Sequence, residues 1–222
     1  MIIRSALVTG ASRGIGFAIA NKLRESGMKI LTPTRHELNL LSDESVDNYI
    51  RKLIDPIDIL VNNAGINPLA GITGITDYDL ANTLKVNFIS PLYLIRALVP
   101  LMIHRNFGRI VNISSIWGDV TKAHRVAYSS SKAALNALTR SIAVEAAQYN
   151  VLINAVAPGF VNTELTRQNN TEEEIKQIAQ SIPIGRLAEP YEIAELVSFL
   201  CSDKNTYITG QVITIDGGYV CL

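Results

Sequence analysis

A tyrosine and a lysine four residues apart, Tyr128 and Lys132, are the first candidates for chemistry in this sequence. This spacing puts both side chains on one face of a helix, so the ammonium can stand beside the phenol. A neighbouring cation lowers the pKa of a phenol from its usual value of about 10. Such a phenol can exchange a proton with a carbonyl oxygen whose carbon accepts hydride. Taken alone, the pair is more often an ordinary exposed pair on a helix.

A second candidate is the glycine-rich turn at residues 9–16, which lies between an apolar run and an amphipathic stretch. Glycines permit a tight turn and a close approach of the backbone to a ligand. The helix that begins near Ile15 presents free N–H groups and the positive end of its dipole, which suit a pyrophosphate. The residues of this turn expected to contact a dinucleotide are Gly10, Ser12, Arg13, Gly14, Ile15 and Gly16.

Alternating strands and helices must position these residues. Apolar runs predict strands at 2–8, 29–32, 57–62, 108–114, 152–157 and 212–215, with a very short further strand at 37–40. Amphipathic stretches predict helices at 15–26, 42–53, 127–149 and 190–201, and two more within 77–105. Because the strands are apolar runs, helices should cover both faces of a parallel sheet. The pattern predicts a doubly wound α/β fold of about seven strands, forming a single domain over residues 1–222.

Composition narrows the classes of function. The chain has 222 residues, a formal net charge of 0 and 48% hydrophobic residues. This balance excludes a disordered chain and gives no reason to expect nucleic acid or a membrane as a partner. The first six residues do not have the order of a signal peptide, so we expect a cytoplasmic protein. Two cysteines and three scattered histidines predict no metal site.

Further motifs follow the later strands in a fixed order: Asn62-Asn63-Ala64-Gly65, Lys85-Val86-Asn87, Ser115, Pro158-Gly159 and Asp216-Gly217-Gly218. Together with the glycine turn and the Tyr128/Lys132 pair, they resemble the short-chain dehydrogenase/reductase family in its single-domain type, which has the Rossmann fold. The resemblance runs from Leu7 to Gly218, and the part from Tyr128 onward is most similar to 3-oxoacyl-carrier-protein reductases.

The resemblance implies a role for each catalytic candidate. Tyr128 is the general acid/base, and Lys132 lowers its pKa and reaches a cofactor ribose. Ser115 hydrogen-bonds the substrate oxygen, and Asn87 anchors a water-based proton relay. Ser114 is the competing serine, but in an extended strand it points to the opposite face. Further cofactor contacts implied by the resemblance are Asn63, Ala64, Gly65, Pro158, Gly159, Val161 and Thr163. It also implies a lid-like segment near 159–189 and a homodimer or homotetramer.

The choice of nicotinamide depends on the residues after the second strand. An acidic residue there binds the ribose 2′-hydroxyl of NAD, whereas arginine accepts the 2′-phosphate of NADP. Thr34 takes the acidic position, and Arg35 follows it. With Arg13 in the glycine turn, this favours NADP(H), although Glu37 keeps NAD(H) open. The family's helix at this place is missing, and Asn39 and Leu40 take the position expected next to the adenine.

The expected substrate is a small carbonyl compound or the corresponding secondary alcohol. An NAD(H)-dependent sugar or polyol dehydrogenase remains an alternative, as does a non-catalytic nucleotide-binding scaffold. Trp117 is either a wall of the substrate cleft or a core residue. Lys122, His124 and Arg125 either attract an anionic substrate or form a solvated loop, and the solvated loop is favoured.

Overall fold

Six parallel strands form one sheet in a computed structural model that describes residues 3–221. The strands lie in the order β2-β1-β3-β4-β5-β6, so the order reverses between β1 and β3. Ligands of such sheets bind beyond the carboxyl ends of the strands at this reversal. The strands are β1 Ser5–Val8, β2 Lys29–Leu31, β3 Ile59–Asn62, β4 Gly108–Ile113, β5 Val151–Pro158 and β6 Val212–Ile215.

Within residues 3–221, eight α-helices connect the strands. They are α1 Gly14–Glu25, α2 Asp43–Arg51, α3 Asp77–Leu84, α4 Ser90–His104, α5 Val126–Ala146, α6 Glu164–Gln168, α7 Glu172–Ser181 and α8 Pro190–Cys201. A π-helical turn, Lys85–Ile89, joins α3 to α4. Ser42 caps α2 through the backbone N–H of Ser45, as its position before two acidic residues suggests.

Helices cover both faces of the sheet, as the apolar runs predicted. On one face, Ile19 of α1 and Val197 of α8 pack against strand residues such as Val61. On the other face, Leu94 of α4 and Ala146 of α5 pack with the remaining strand side chains. The doubly wound α/β prediction is therefore confirmed.

The prediction of a short strand at residues 37–40 is wrong, and the sheet has six strands instead of about seven. The chain turns here, because the backbone N–H groups of Glu37 and Leu38 both donate to Thr34 O. The Glu37 carboxylate also accepts hydrogen bonds from Thr34 N and Thr34 Oγ1, at 2.8 and 2.9 Å. These local hydrogen bonds hold the segment in a turn, so it does not form a strand. The first strand begins at Ser5, and Ile2, where we predicted its start, lies outside the described residues.

The segment Asp77–His104 is long and apolar enough to cross a membrane by length and composition alone. In the structure it is interrupted by the π-helical turn, and its α4 portion buries Leu94, Leu98 and Met102 against the sheet. Its apolar character is that of a core helix.

A polar chain through the sheet holds α5 in place. Asn62 Nδ2 on β3 donates to Asn112 Oδ1 on β4, and Asn112 Nδ2 donates to Thr139 Oγ1 on α5, both at 2.9 Å. Asn112 and Thr139 are fully buried. Since α5 carries Tyr128 and Lys132, this series of hydrogen bonds sets the distance between those side chains and the strands.

Asn112→Val should destabilise the fold, because it leaves the Asn62 amide and the Thr139 hydroxyl without their buried partner. An unpaired buried polar group costs roughly 1–3 kcal/mol, so we expect a loss of about 2–4 kcal/mol. Urea unfolding measures it, with Asn169→Val, at an exposed asparagine, as the control. A loss below about 0.5 kcal/mol would show that the hydrogen bonds of Asn112 do not hold α5 in place.

Candidate active site

A cleft of about 380 Å³ opens beyond the carboxyl ends of the strands. It brings together residues predicted from separate motifs. The predicted residues that line it are Gly10, Ser12, Arg13, Gly14, Ile15, Gly16, Asn63, Ala64, Gly65, Ser115, Tyr128, Lys132, Pro158, Gly159, Val161 and Thr163. Four predicted residues, Asn87, Arg35, Asn39 and Leu40, do not line this cleft.

The glycine turn has the shape that a dinucleotide requires. Gly10 and Gly14 have φ values of +64° and +56°, a conformation that favours glycine. A Cβ on Gly16 would stand 2.4 Å from Gly10 O, so no side chain fits there. Helix α1 begins at Gly14, and the side chain at its N-cap, Arg13, makes no capping hydrogen bond. The first N–H groups of α1 thus remain available to a pyrophosphate, and this part of the site fits the cofactor.

The turn after β1 is tied to the turn after β3. Thr9 Oγ1 accepts hydrogen bonds from Asn63 N and Ala64 N, at 3.0 and 3.1 Å. In return, Asn63 Nδ2 donates to Thr9 O and Gly10 O, at 2.9 and 3.0 Å. Asn63 therefore acts on the cleft through its hold on the glycine turn.

Lys132 is buried beside Tyr128, and its ammonium lies 5.5 Å from the centre of the tyrosine ring. Lys132 Nζ donates to Ile113 O at the end of β4, at 2.7 Å. Burial lowers the pKa of Lys132 to about 8. The helical pair is thus not an exposed surface pair, which the isolated motif left open.

The pKa of Tyr128 departs from the expectation. Burial raises the pKa of this phenol above its usual value, while a hydrogen bond with Ser115 and the charge of Arg125 lower it. Since burial is the largest influence, the phenol stays protonated at neutral pH. A protonated phenol suits proton donation to a carbonyl oxygen.

The two neighbouring serines have different surroundings. Ser114 Oγ donates to Asn136 Oδ1 at 2.6 Å and is occupied inside the fold. Ser115 Oγ accepts from Trp117 N at 3.2 Å and also interacts with Tyr128. This arrangement favours Ser115 over Ser114 as the residue that faces a substrate oxygen.

Asn87 lies one layer behind the cleft, in the π-helical turn. It is fully buried, and its amide binds both backbone groups of Ile66, at 2.9 Å each. Asn87 Nδ2 also donates to Ser131 Oγ, which donates to Tyr128 O at 2.7 Å. Through these bonds Asn87 positions the first turn of α5 and the segment after Gly65. Its role in a water relay stays a prediction.

Three aromatic rings pack edge to face, with ring centroids between 5.3 and 6.2 Å apart, and two of them, Trp117 and Phe160, line one side of the cleft. Trp117 packs against Phe160 and Tyr219, and it is 8% exposed. The sequence left open whether Trp117 is a wall of the cleft or a core residue. It is both, because it is largely buried and also lines the cleft. Sequence reasoning missed Phe160 and the pair Ile66 and Asn67, although each directly continues a motif that it had singled out.

The lid-like segment contains the two helices α6 and α7. Thr163 caps α6 and packs against Gly14 of the glycine turn. Arg13 Nη1 lies 2.8 Å from Glu164 Oε2, so an ion pair joins the glycine turn to this segment. Thr171 and Glu174 form a capping box at the start of α7.

The residues predicted for the adenosine end lie apart from this cleft. Arg35 is exposed, and no ion pair involves it among residues 3–221. Asn39 Oδ1 accepts from Leu41 N, and Leu40 O accepts from Ser90 Oγ. Since Arg13 pairs with Glu164 here, a contact between Arg13 and a 2′-phosphate would replace this ion pair.

Known proteins resemble the chain over almost its full length. A family profile described as enoyl-(acyl carrier protein) reductase matches residues 33–220. The 3-oxoacyl-[acyl-carrier-protein] reductase of Aquifex aeolicus is 42% identical over 239 residues, covering 96% of both chains. A gluconate 5-dehydrogenase of Burkholderia cenocepacia, solved in complex with NADP and tartrate, gives a TM-score of 0.94 at 28% identity, covering 99% of this chain and 96% of that one. A 3-oxoacyl (acyl-carrier-protein) reductase of Agrobacterium tumefaciens with NADP bound gives 0.89 at 32% identity, covering 97% and 94%.

The buried Lys132 makes a prediction about stability. Its pKa falls from 10.5 to about 8 on folding, so between these pH values the folded chain binds fewer protons than the unfolded chain. The charged ammonium therefore destabilises the cofactor-free fold below pH 8, and this effect fades as the pH rises towards 10.5. Lys132→Met should raise the free energy of unfolding at pH 7 by about 1–3 kcal/mol and have little effect near pH 10.

Urea unfolding at both pH values measures this difference. The control is Lys176→Met, at a lysine whose side chain is 71% exposed, which should change stability by less than about 0.5 kcal/mol. A Lys132→Met protein no more stable than the wild type at pH 7 would contradict the burial argument.

Proposed function

The chain belongs to the short-chain dehydrogenase/reductase family and is an NAD(P)-dependent oxidoreductase acting on CH–OH groups, and on this premise we propose that it interconverts a carbonyl and a secondary alcohol with NADP(H). One observation carries the proposal: Ser115, Tyr128 and Lys132 line the same cleft as the glycine turn.

The chain's own residues divide the work of carbonyl reduction. A bound nicotinamide supplies the hydride. Ser115 donates a hydrogen bond to the carbonyl oxygen and orients it. Tyr128 donates the proton to that oxygen as negative charge develops. The buried Lys132 ammonium, near the ring of Tyr128, favours the phenolate that remains after proton transfer.

The proposed cofactor site combines the glycine turn with the loop after β3 and the start of the lid-like segment. The first N–H groups of α1 hold the pyrophosphate, while Asn63, Ala64 and Gly65 shape the wall opposite them. Pro158, Gly159, Val161 and Thr163 complete the wall beyond β5. Asn39 and Leu40 lie beside the adenine in this proposal.

The preference for NADP(H) now depends mainly on Arg35. Thr34 brings no carboxylate of its own, and the Glu37 carboxylate is held by Thr34 N and Thr34 Oγ1. Those hydrogen bonds also lower the pKa of Glu37, so it remains charged. The two NADP-bound relatives described above support the same cofactor.

We further propose that the protein works as a homodimer or homotetramer. Val144 on the long helix α5 is 84% exposed and Phe199 on α8 is 41% exposed. Apolar side chains on these two helices are suited to burial against a second copy.

A panel of ketones and secondary alcohols, assayed with both NADPH and NADH, tests the proposal. It should include acyl thioesters and sugar acids, because one relative is named for a 3-oxoacyl substrate and another for gluconate. Turnover of a carbonyl or alcohol with NADPH supports the proposal. A protein that binds NADPH and turns over no member of either class would favour the non-catalytic alternative.

Tyr128→Phe should remove the proton donor while leaving the cofactor walls intact. We expect kcat/KM to fall by about 10²–10⁴ and the Kd for NADPH to change less than about threefold. Steady-state kinetics and a fluorescence titration of NADPH measure the two effects. Tyr191→Phe, at a tyrosine that is 62% exposed, is the control. Activity within tenfold of the wild type would remove Tyr128 from its proposed role.

Arg35→Ala should weaken NADPH and spare NADH. A hydrogen bond to a charged group is worth roughly 1.5–3 kcal/mol, and exposure reduces it to about 1 kcal/mol here. The ratio of kcat/KM for NADPH to that for NADH should therefore fall about fivefold. Arg51→Ala, at another exposed arginine, is the control. A wild-type enzyme that prefers NADH would overturn the cofactor proposal and point to Glu37 as the ribose ligand.

A further inference from the structure

Arg125 is half-buried on the wall of the cleft, and one nitrogen of its guanidinium has no acceptor. It lies immediately before α5, three residues from Tyr128. A backbone bridge between Arg125 and Ala70 fixes it against the segment after β3. Its Nη1 atom is buried, and within residues 3–221 nothing accepts a hydrogen bond from it. Buried donors without acceptors are rare in proteins, so this atom needs an explanation.

The charge of Arg125 also lacks a counter-ion among the described residues. Burial lowers the pKa of Arg125, yet a guanidinium stays charged at neutral pH. Glu164 is the acidic side chain on the cleft wall, and Arg13 already pairs with it at 2.8 Å. The guanidinium is close enough to Tyr128 for each to shift the pKa of the other. A bound anion would therefore lie near the reacting oxygen.

Asn67 provides a second unused polar atom on the same cleft. Asn67 Oδ1 is buried and has no hydrogen-bond donor within the described part of the chain. Asn67 lies three residues before Ala70, the residue that bridges to Arg125. A carbonyl acceptor of this kind is satisfied by a ligand hydroxyl. The cleft thus offers one cationic donor near Tyr128 and one neutral acceptor elsewhere on its wall.

We propose that the substrate is a small hydroxylated carboxylic acid or the corresponding oxo acid. Arg125 binds its carboxylate, and Asn67 accepts a hydrogen bond from one of its hydroxyls. This inference rests on the proposed function and names the substrate class of the same site. A planar guanidinium matches a carboxylate in charge and shape. An acyl thioester carries no charge beside its reacting carbonyl, so it would leave the charge of Arg125 without a counter-ion.

Calorimetric titration of the NADP⁺-saturated protein tests this with matched acids and amides. The probes are tartrate and tartramide, gluconate and gluconamide, and 3-hydroxybutyrate and 3-hydroxybutyramide. We expect at least one acid to bind ten times more tightly than its amide. Arg125→Gln should remove that preference, while Arg125→Lys should retain part of it. Arg140→Gln, at an exposed arginine on α5, is the matched control and should change nothing.

Asn67→Leu separates the two contacts. It should weaken gluconate three- to tenfold and leave the preference for acid over amide unchanged. If no acid binds more tightly than its amide, or if Arg125→Gln keeps the preference, the inference is overturned.

The same preparation is assayed with neutral ketones and NADPH, which reports on the proposed function separately. Turnover of neutral ketones with no preference for acids overturns the substrate class alone. An intact preference for acids with no turnover of any compound overturns the proposed function and leaves the anion site standing.

Discussion

The close approach of the turn after β1 to the turn after β3 is the constraint on which the site depends. Neither turn can move without breaking the hydrogen bonds between Thr9 and Asn63. A Cβ at Gly10 would stand 2.8 Å from Ala64 Cα, so the backbones themselves are in contact. This contact sets where α1 begins and therefore where its free N–H groups point. The floor of the cleft is built from backbone, and the side chains that act on a ligand stand around it.

The groups that carry the proposed chemistry are held by a layer of residues behind the cleft and by the backbone of Ile113, which lines the cleft. Asn87 fixes Ser131, Ser131 fixes the backbone of Tyr128, and Ile113 O receives the ammonium of Lys132. Asn87 lies in the π-helical turn, so this turn is part of the layer. Such turns commonly occur near functional sites. Burial of the Lys132 ammonium opposes folding, so the site is maintained against a local loss of stability by the surrounding core.

The sequence predicts most of this architecture, because its strongest signals are local. Apolar runs form strands where helices cover both faces of the sheet. The glycine turn indicates a pyrophosphate site because it lies between a strand and a helix. The failures involve bonds that periodicity does not encode. Residues 37–40 have an apolar–polar pattern, but the Glu37 side chain closes them into a turn. The ion pair of Arg13 with Glu164, which lies far along the chain, was not predicted, and the expected contact of Arg13 with a 2′-phosphate stays a prediction. Arg125 was grouped with two solvated neighbours, and only the tertiary structure shows that it turns inward.

The ion pair between Arg13 and Glu164 has a consequence for the timing of catalysis. Both side chains are more than half exposed, at 56% and 55%, so water and salt screen their attraction. A contact this weak adds little to the free energy that holds the start of α6 beside the glycine turn. In an enzyme that must exchange its dinucleotide in every cycle, a stronger bond would lengthen the residence time of the spent cofactor and slow the cycle. The solvent-exposed pair therefore places no strong bond between the glycine turn and the start of α6.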